Sequence, residues 1–304
     1  MTRSRRLLVM LIAAMLIMAI PGTAFAAKKS KGGKYVPTSG VKYYLEDGKW
    51  EQSKETLAAV FDKSGKVRSV QYKGENWSET TTYAWKGENL RSYSYAYTGT
   101  SYSYTTNTEY TVKKKKPSKY RYTYTDVDDG ETYSGSTEAV YRWGKKDGSV
   151  AYSYRNKDNV ETGRGADIIT LKKGKRAFVW NSNTSYTYYK NGLLRSVSRP
   201  DLDGKGYNTT EYDQYGYPVK YENVDIDSDG SSDWNRTNYT WTYDPKTKCP
   251  TEVVVTETYS ENATPYTYKW VFSNPMKVKK VRNCDAFGNQ VWLGVRLGDD
   301  DDDD

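Results

Sequence analysis

The sequence predicts an all-β protein built from antiparallel β-hairpin repeats. Three observations lead to this fold: a high content of tyrosine and tryptophan, the alternation of these rings with polar residues, and a turn unit that recurs along the chain. The chain has 31 Tyr and 9 Trp among 304 residues, and these residue types are enriched in strands. A period of two places every ring of a run on the same face of a strand. We therefore expect an aromatic-rich β-meander, whose sheet can coil or curl.

The first 26 residues have the features of a secretory signal peptide. Arg3, Arg5 and Arg6 precede an uncharged apolar run over 7–20, and the Ala-Phe-Ala sequence at 24–26 provides a cleavage site. The apolar run is shorter than the roughly 20 residues that span a bilayer, although an uncleaved anchor is the alternative. We predict a secreted, extracellular chain, free or associated with the cell wall, with no membrane span after cleavage.

The chain divides into four predicted segments. They are a signal peptide (1–26), a flexible basic leader (27–40), a β-hairpin repeat domain (41–298) and an acidic tail of six aspartates (299–304). Loss of the three signal arginines lowers the formal net charge from +8 to +5. A basic exported protein favours polyanionic partners such as acidic glycans, wall polymers or lipid headgroups, and a solvated basic surface is the alternative. No nucleic-acid motif is present, so we expect no nucleic-acid partner.

Aromatic ladders identify strands along the repeat domain. In each ladder, rings alternate with small, hydroxyl or basic residues, which predicts one aromatic face per strand. The ladders are Tyr93/Tyr95/Tyr97, Tyr120/Tyr122/Tyr124, Tyr152/Tyr154, Tyr186/Tyr188, Tyr239/Trp241/Tyr243 and Tyr266/Tyr268/Trp270. One interpretation is that the rings form the core, and the other is that they form an exposed platform on which sugar rings stack. Residues 51–61 are the one segment of the domain that we expect could form a short helix.

A turn unit recurs between the ladders: an aromatic residue, a few polar residues, glycine and an apolar strand start. Its copies lie at 61–67, 212–219 and 284–291, with looser copies at 85–90, 143–150 and 189–194, and another copy begins at Tyr243. Three copies continue with Arg-Ser, at Arg68, Arg91 and Arg195. Glycine after Asp or Asn takes the positive φ that hairpin turns require. Each copy therefore predicts a strand, a tight turn and a returning strand.

These turns resemble the YD repeats of RHS-type secreted bacterial proteins, whose core unit is Tyr-Asp, two residues and Gly. Residues 212–216 fit this unit fully, and 61–65 and 284–288 fit it with the aromatic position changed or lost. The resemblance implies long antiparallel sheets that coil or wrap, in proteins that act as surface scaffolds, toxin carriers or carbohydrate binders. This chain is too short for an encapsulating shell and shows no separate toxin domain, so the resemblance implies a stand-alone repeat protein.

A second kind of turn, rich in Asp and Gly, alternates with the first. Residues 225–233 read D-x-D-x-D-G-x-x-D, which matches the first half of a calcium loop. Arg236 stands where an EF-hand has its bidentate Glu, so we expect a calcium site carried by a hairpin, or else a turn that binds nothing. Shorter versions lie at 126–130 and 201–204. The four candidate ligands are Asp225, Asp227, Asp229 and Asp233.

The counts of histidine and cysteine exclude several kinds of site. The chain has no His and two Cys, which excludes His-dependent triads, His-ligated zinc and iron–sulfur clusters. Cys249 and Cys284 either form a disulfide in an oxidising compartment or stay unpaired thiols. No local motif singles out a catalytic acid and nucleophile, so we expect a protein that is not an enzyme and has no catalytic residues.

The sequence thus favours a non-catalytic protein at the cell surface. We expect it to bind carbohydrate or cell-wall polymer through its aromatic strand faces, with calcium as the one candidate cofactor. The alternative is a structural scaffold that contacts a protein partner and no glycan. Exposure of the rings discriminates between the two, because stacking on a sugar requires a ring that faces solvent.

Overall fold

The computed structural model describes residues 35–113, 116–143, 149–155, 161–168, 171–172, 175–176, 185–200, 206–226, 232–259, 263–284 and 290–295. Every regular element of these residues is a β-strand, which confirms the predicted all-β fold class. The strands are β1 Tyr35–Val36, β2 Ser39–Glu46, β3 Lys49–Phe61, β4 Val67–Lys73, β5 Ser78–Lys86, β6 Asn89–Thr98, β7 Tyr102–Lys113, β8 Lys116–Asp128, β9 Glu131–Trp143, β10 Ser149–Arg155, β11 Glu161–Ile168, β12 Leu171–Lys172, β13 Lys175–Arg176, β14 Ser185–Tyr188, β15 Leu194–Pro200, β16 Tyr207–Tyr212, β17 Pro218–Ile226, β18 Ser232–Tyr243, β19 Pro250–Thr258, β20 Tyr266–Ser273 and β21 Met276–Lys277.

One antiparallel sheet contains all the long strands. From β2 to β11 each strand pairs with the next in the chain, and the same holds from β14 to β20. The two runs join because β20 pairs with β2, with Ser273 opposite Ser39 and Tyr268 opposite Tyr44. Among the described residues, β11 and β14 each have one partner strand and are the two edge strands of this sheet. The short strands form two separate pairs, β1 with β21 and β12 with β13.

Turns alternate between the two ends of the sheet, because successive strands run in opposite directions. We call one end the capped end; its turns are at 62–66, 87–88, 189–193, 213–217 and 244–249. We call the other the open end; its turns are at 47–48, 74–77, 99–101 and 129–130. The capped end holds five of the hairpins predicted from the recurring turn unit: those at 61–67, 85–90, 189–194, 212–219 and the one that begins at Tyr243. Alternation of ends thus accounts for the two kinds of turn in the sequence.

Those turns of the capped end that begin with Asp share one hydrogen-bond pattern. Asp213 Oδ1 accepts from the backbone N–H groups of Tyr215, Gly216 and Tyr217 at 2.8–3.0 Å. Asp62 Oδ1 likewise accepts from backbone N–H groups two and four residues later. Short polar side chains bond to their own turn in this way and leave the following glycine to take positive φ, which is 99° at Gly216.

The recurring Arg-Ser pairs mark β-bulges just after these turns. In the β3–β4 hairpin the pairing steps from Phe61–Val67 to Val60–Ser69, so Arg68 is the extra residue. The same shift leaves Arg91 as the extra residue in β6 and Arg195 in β15. A bulged residue bends its strand and lies outside the ladder of pairs. The repetition in the sequence therefore reflects a repeated irregularity of the sheet.

Residues 276–284 and 290–295 lie across one face of the sheet near the capped end. Val281 and Leu293 of this segment are buried in the main core with Val70, Tyr72 and Trp270 of the strands. We call this side of the sheet the covered face and the opposite side the outer face. Burial alternates accordingly, and in β3 the buried residues are every second one from Leu57 to Phe61.

Hydrogen bonds fix this segment to distant parts of the chain. The buried Asn283 side chain accepts from the Leu194 N–H and donates to the Leu194 carbonyl, both at 3.1 Å. Lys279 N–H donates to the Lys63 carbonyl at 2.9 Å, and Trp292 Nε1 donates to the Tyr72 hydroxyl at 2.7 Å. The segment therefore joins the β3–β4 hairpin to the β14–β15 hairpin.

Two expectations about the N-terminal part differ from the structure. The short helix at 51–61 is wrong, because this stretch lies within β3, where Leu57, Ala59 and Phe61 alternate with exposed residues. Residues 35–40, expected in a flexible leader, form β1 and the start of β2, and Val36 is buried in the core. The described residues contain no helix long and apolar enough to cross a bilayer.

Candidate functional site

Burial of the rings decreases toward the open end in the ladders of β6, β8 and β20, whereas in β18 Tyr239 is buried and Trp241 and Tyr243, nearer the capped end, are half-buried. In β6 Tyr93 is buried, whereas Tyr95 and Tyr97 are half-buried. In β20 Trp270 and Tyr268 are buried, and Tyr266, nearest the open end, is 39% exposed. Rings near the capped end thus belong to the core, as one interpretation of the ladders predicts. We call the covered-face positions from Tyr95 and Tyr268 to the open end the open half.

Three of the exposed rings of the protein lie at the rim of this open half. Tyr133, Tyr259 and Tyr266 are each about two-fifths exposed. Register places Tyr133 and Tyr266 on the covered face, and a hydrogen bond to Glu257 holds Tyr259 beside them. Tyr207 is equally exposed at 39%, but it lies on the outer face opposite Val224. The exposed rings of the open half are therefore available to a flat apolar surface.

Buried carboxylates hold the tyrosines of the open half in place. Glu257, which is 1% exposed, accepts from the Tyr268 hydroxyl at 2.9 Å and from the Tyr259 hydroxyl at 2.8 Å. Glu79 is also buried and accepts from the Tyr95 hydroxyl at 2.9 Å. Hydrogen bonds to an ionised acceptor are stronger than neutral ones. The rings are therefore fixed before any ligand arrives.

Lys42 is a buried cation in the same region. Its Nζ lies 3.2 Å from Glu55 Oε2, 4.8 Å from the centre of the Tyr44 ring and 4.4 Å from the centre of the Tyr268 ring. The Tyr44 hydroxyl donates to the other oxygen of Glu55. A carboxylate and two ring faces together stabilise an ammonium that has lost much of its water.

A further acidic group lies at the β8 end of the open half. Burial raises the pKa of Asp126, the neighbouring Asp128 raises it further, and a hydrogen bond from Tyr102 opposes the rise. Nearby, the hydroxyls of Tyr104 and Tyr122 are 2.8 Å apart, and burial is the main cause that raises the pKa of both. Both tyrosines therefore stay neutral and act as hydrogen-bond donors and acceptors.

Several buried polar atoms of the covered face have no hydrogen-bond partner among the described residues. They include Asp126 Oδ1, Asn235 Oδ1 and Thr237 Oγ1, and Thr237 is 1% exposed. Register places Thr237 directly opposite Glu257 and Tyr221. An unsatisfied buried polar atom costs about 1–3 kcal/mol. Such atoms indicate positions on this face where water or a polar ligand can form a hydrogen bond.

The predicted calcium site lies at the open end, in part outside the described residues. Asp225 and Asp233 face each other across the β17–β18 hairpin, as a hairpin-borne site requires, whereas Asp227 and Asp229 lie outside the described residues. The shorter version at 126–130 forms a two-residue turn in which Asp129 and Gly130 have positive φ, and 201–204 lies outside the described part. Within the described residues no cluster of three metal-ligating side chains occurs. The calcium site stays a prediction.

The two cysteines are not joined in a disulfide. Cys249 is buried in the β18–β19 turn, where burial raises the pKa of its thiol to about 12. Cys284 is half-buried and packs against the small cluster around Leu194 and Tyr212. Of the two alternatives that the sequence left open, the structure has two thiols and not a disulfide.

The carboxylates and the lysine of the open half were not found from the sequence. A signal existed, since Glu257 follows Val253 and Val255 at alternate positions and precedes Tyr259. An acidic residue in the apolar register of a strand indicates a buried charge with dedicated partners. Glu79 carries the same signal less clearly, because Thr81 separates it from Tyr83.

Comparisons with known proteins identify no family. No family model and no curated protein matches the chain. Among solved structures, the chain is similar to a porin-like protein from Bacteroides uniformis, with 14% sequence identity, 79% of this chain and 96% of that chain covered, and a TM-score of 0.25. A likeness at this level carries no argument about fold or function.

Proposed function

We propose that this protein is a non-catalytic, exported protein that binds carbohydrate or cell-wall polymer in the open half of its covered face. The observation that carries the proposal is the exposure of Tyr133, Tyr259 and Tyr266 at the rim of that half, while the rings nearer the capped end are core. The signal-peptide features of residues 1–26 support export.

The chemistry of the open half suits a sugar polymer. The C–H face of a sugar is apolar and packs on an aromatic ring, and its hydroxyl groups need donors and acceptors close by. Tyr259 and Tyr266 supply the rings, and the buried oxygens of Thr237 and Asn235, which have no partner among the described residues, supply hydrogen-bonding groups. Because Glu257 orients Tyr259 in advance, little side-chain freedom is lost on binding.

Calcium has a supporting role in this proposal. Asp225 and Asp233 carry two adjacent carboxylates at the end of the β17–β18 hairpin, and such oxygens are the ligands that calcium prefers. A bound ion would relieve the repulsion between these facing carboxylates. It would thereby hold the hairpin beside the open half.

The test is retention of the protein on purified cell wall and insoluble glycans, with and without a chelator. The protein begins at Ala27, the predicted mature N-terminus, which leaves every described residue in place. Tyr266→Ala is the test variant, and Tyr207→Ala is the matched control, because it removes an equally exposed ring from the outer face. We expect the first to lower retention about tenfold and the second to leave it unchanged.

The outcomes separate the two function classes. Retention that falls with Tyr266→Ala alone supports binding in the open half, and further loss with chelator supports the calcium role. Absence of retention on every polymer would refute carbohydrate binding. The scaffold alternative, in which the sheet contacts a protein partner, would then lead.

A further inference from the structure

Charged side chains differ between the two faces of the sheet: acids predominate in the open half of the covered face, and the outer face carries both signs. Register places the acids Glu79, Asp126 and Glu257 on the covered face in its open half, and Glu55 joins them through its bonds to Lys42 and Tyr44. Lys42 is the one buried cation among the described residues of that half. On the outer face, the cations Lys119, Lys220, Arg236 and Lys269 are paired with the acids Glu138, Glu222 and Glu252. Among the side chains that the structure describes, acids therefore outnumber cations in the open half, although the whole chain is basic.

The position of Lys42 shows what kind of group this face holds. Its ammonium is enclosed by the Glu55 carboxylate at 3.2 Å and by the rings of Tyr44 and Tyr268 at 4.8 and 4.4 Å. Glu257 and its ring neighbours Tyr259 and Tyr266 repeat the same combination of a carboxylate with tyrosine rings nearer the rim. Aromatic rings beside carboxylates are a favourable environment for an ammonium group.

Buried oxygens of this face favour the same ligand. Asp126 Oδ1 and Asn235 Oδ1 are acceptors without a hydrogen-bond partner among the described residues. The deeply buried Thr237 hydroxyl, opposite Glu257, likewise has none. A protonated amine brings three donors and no acceptor, whereas a carboxylate or phosphate brings acceptors alone and is repelled by the acids.

We infer that the open half selects a sugar polymer that carries free amino groups, that is, an amino sugar that is not N-acetylated. The inference rests on the proposed carbohydrate binding and names its ligand class. It also reverses the expectation from net charge, which favours polyanions, because the ligand meets the local field of the open half before the field of the outer face.

The test compares two hexasaccharides of identical length and linkage by calorimetric titration. One is a hexamer of β-1,4-linked glucosamine and the other is the N-acetylglucosamine hexamer, both at mildly acidic pH and low salt. Glu257→Gln removes one charge of the open half and keeps the shape of the side chain. Glu252→Gln is the matched control, because Glu252 lies in the same strand on the outer face, where it pairs with Lys269 at 3.0 Å.

We expect the amine hexamer to bind about tenfold more tightly than the acetylated one, with a preference that weakens as salt is added. Glu257→Gln is expected to lower the preference at least threefold, and Glu252→Gln to leave it unchanged. If Glu257→Gln unfolds, as shown by circular dichroism, Glu79→Gln replaces it. A net charge of +5 on the mature chain repels the amine polymer, so unspecific adsorption does not mimic this result.

The other outcomes refute either the selection of amines alone or the proposed carbohydrate binding as well. Equal binding of both hexamers, or tighter binding of the acetylated one, refutes the selection of amines and leaves carbohydrate binding standing. Binding of neither hexamer, together with retention on another glycan, refutes the amine ligand alone. Binding of neither hexamer, with no retention on any polymer, refutes the proposed function as well.

Discussion

The contact between Gly65 and the C-terminal segment can be tested with a single methyl group. Gly65, in the β3–β4 turn, has a φ of 89°, and a Cβ there would lie 1.8 Å from the carbonyl oxygen of Lys280. Gly192, at the same place in the β14–β15 turn, has a φ of 84° and no atom within 4 Å of its Cβ position. The pair separates backbone strain from a steric clash.

The expected losses follow from these two environments. Alanine at positive φ costs about 1–2 kcal/mol, which is the whole expected effect of Gly192→Ala. Gly65→Ala has the same strain and, in addition, a clash with backbone that cannot rotate away. Displacing the segment there exposes buried residues such as Val281, and each is worth about 1.5–3 kcal/mol. We expect Gly65→Ala to lower the free energy of unfolding by about 3–5 kcal/mol.

Urea denaturation measures both values by linear extrapolation. Limited proteolysis provides a second readout, because a displaced segment is cleaved faster near residues 276–284 in Gly65→Ala than in Gly192→Ala. Equal losses of stability and equal cleavage in the two variants would refute the docking of the segment against the β3–β4 turn.

Two further predictions concern ionisable side chains. Burial alone would raise the pKa of Asp62, but hydrogen bonds from Ser64, Lys66 and Arg68 outweigh it and lower this pKa from 3.8 to about 2. The ionised Asp62 therefore stabilises the fold fully above about pH 4, and this contribution is lost as the pH falls toward 2. In urea titrations, the free energy of unfolding of Asp62→Asn is expected to fall less over this pH range than that of the unchanged protein. The second prediction concerns the thiols. At about pH 8 we expect a thiol reagent to modify at most Cys284 in the native protein, because burial suppresses formation of the Cys249 thiolate. After unfolding, both cysteines are expected to react. Rapid modification of both in the native protein would contradict the burial, and modification of neither after unfolding without reductant would indicate a disulfide.

Local chemistry made the strands and hairpins predictable. Period-two alternation identified β6, β8, β18 and β20, because a strand's two faces follow directly from sequence parity. Asp-Gly turn chemistry identified the hairpin at 213–217, whose hydrogen bonds are made within five residues. A helix was expected at 51–61 because Glu and Lys predominate at the start of this stretch. The alternation of Leu57 and Ala59 alone is too short to indicate a strand when its partner strands are not known.

Long-range contacts were beyond the sequence pattern. Asn283 and Leu194 are 89 residues apart, and nothing in either stretch indicates the other. The same holds for the enclosure of Lys42, since its Glu55 and Tyr268 neighbours come from different strands. Such contacts depend on how the sheet brings strands together, which periodicity does not encode.

The pairing of β2 with β20 also bears on how the chain folds. Ser39 and Ser273, whose hydroxyls are 2.8 Å apart in this pair, are separated by 234 residues. Contacts of such sequence separation form slowly, and during synthesis from the N-terminus this edge of β2 has no partner until β20 has been made. An unpaired edge is a site of aggregation. The synthesis of β20 therefore decides whether the hairpins made before it join one native sheet or associate with other molecules.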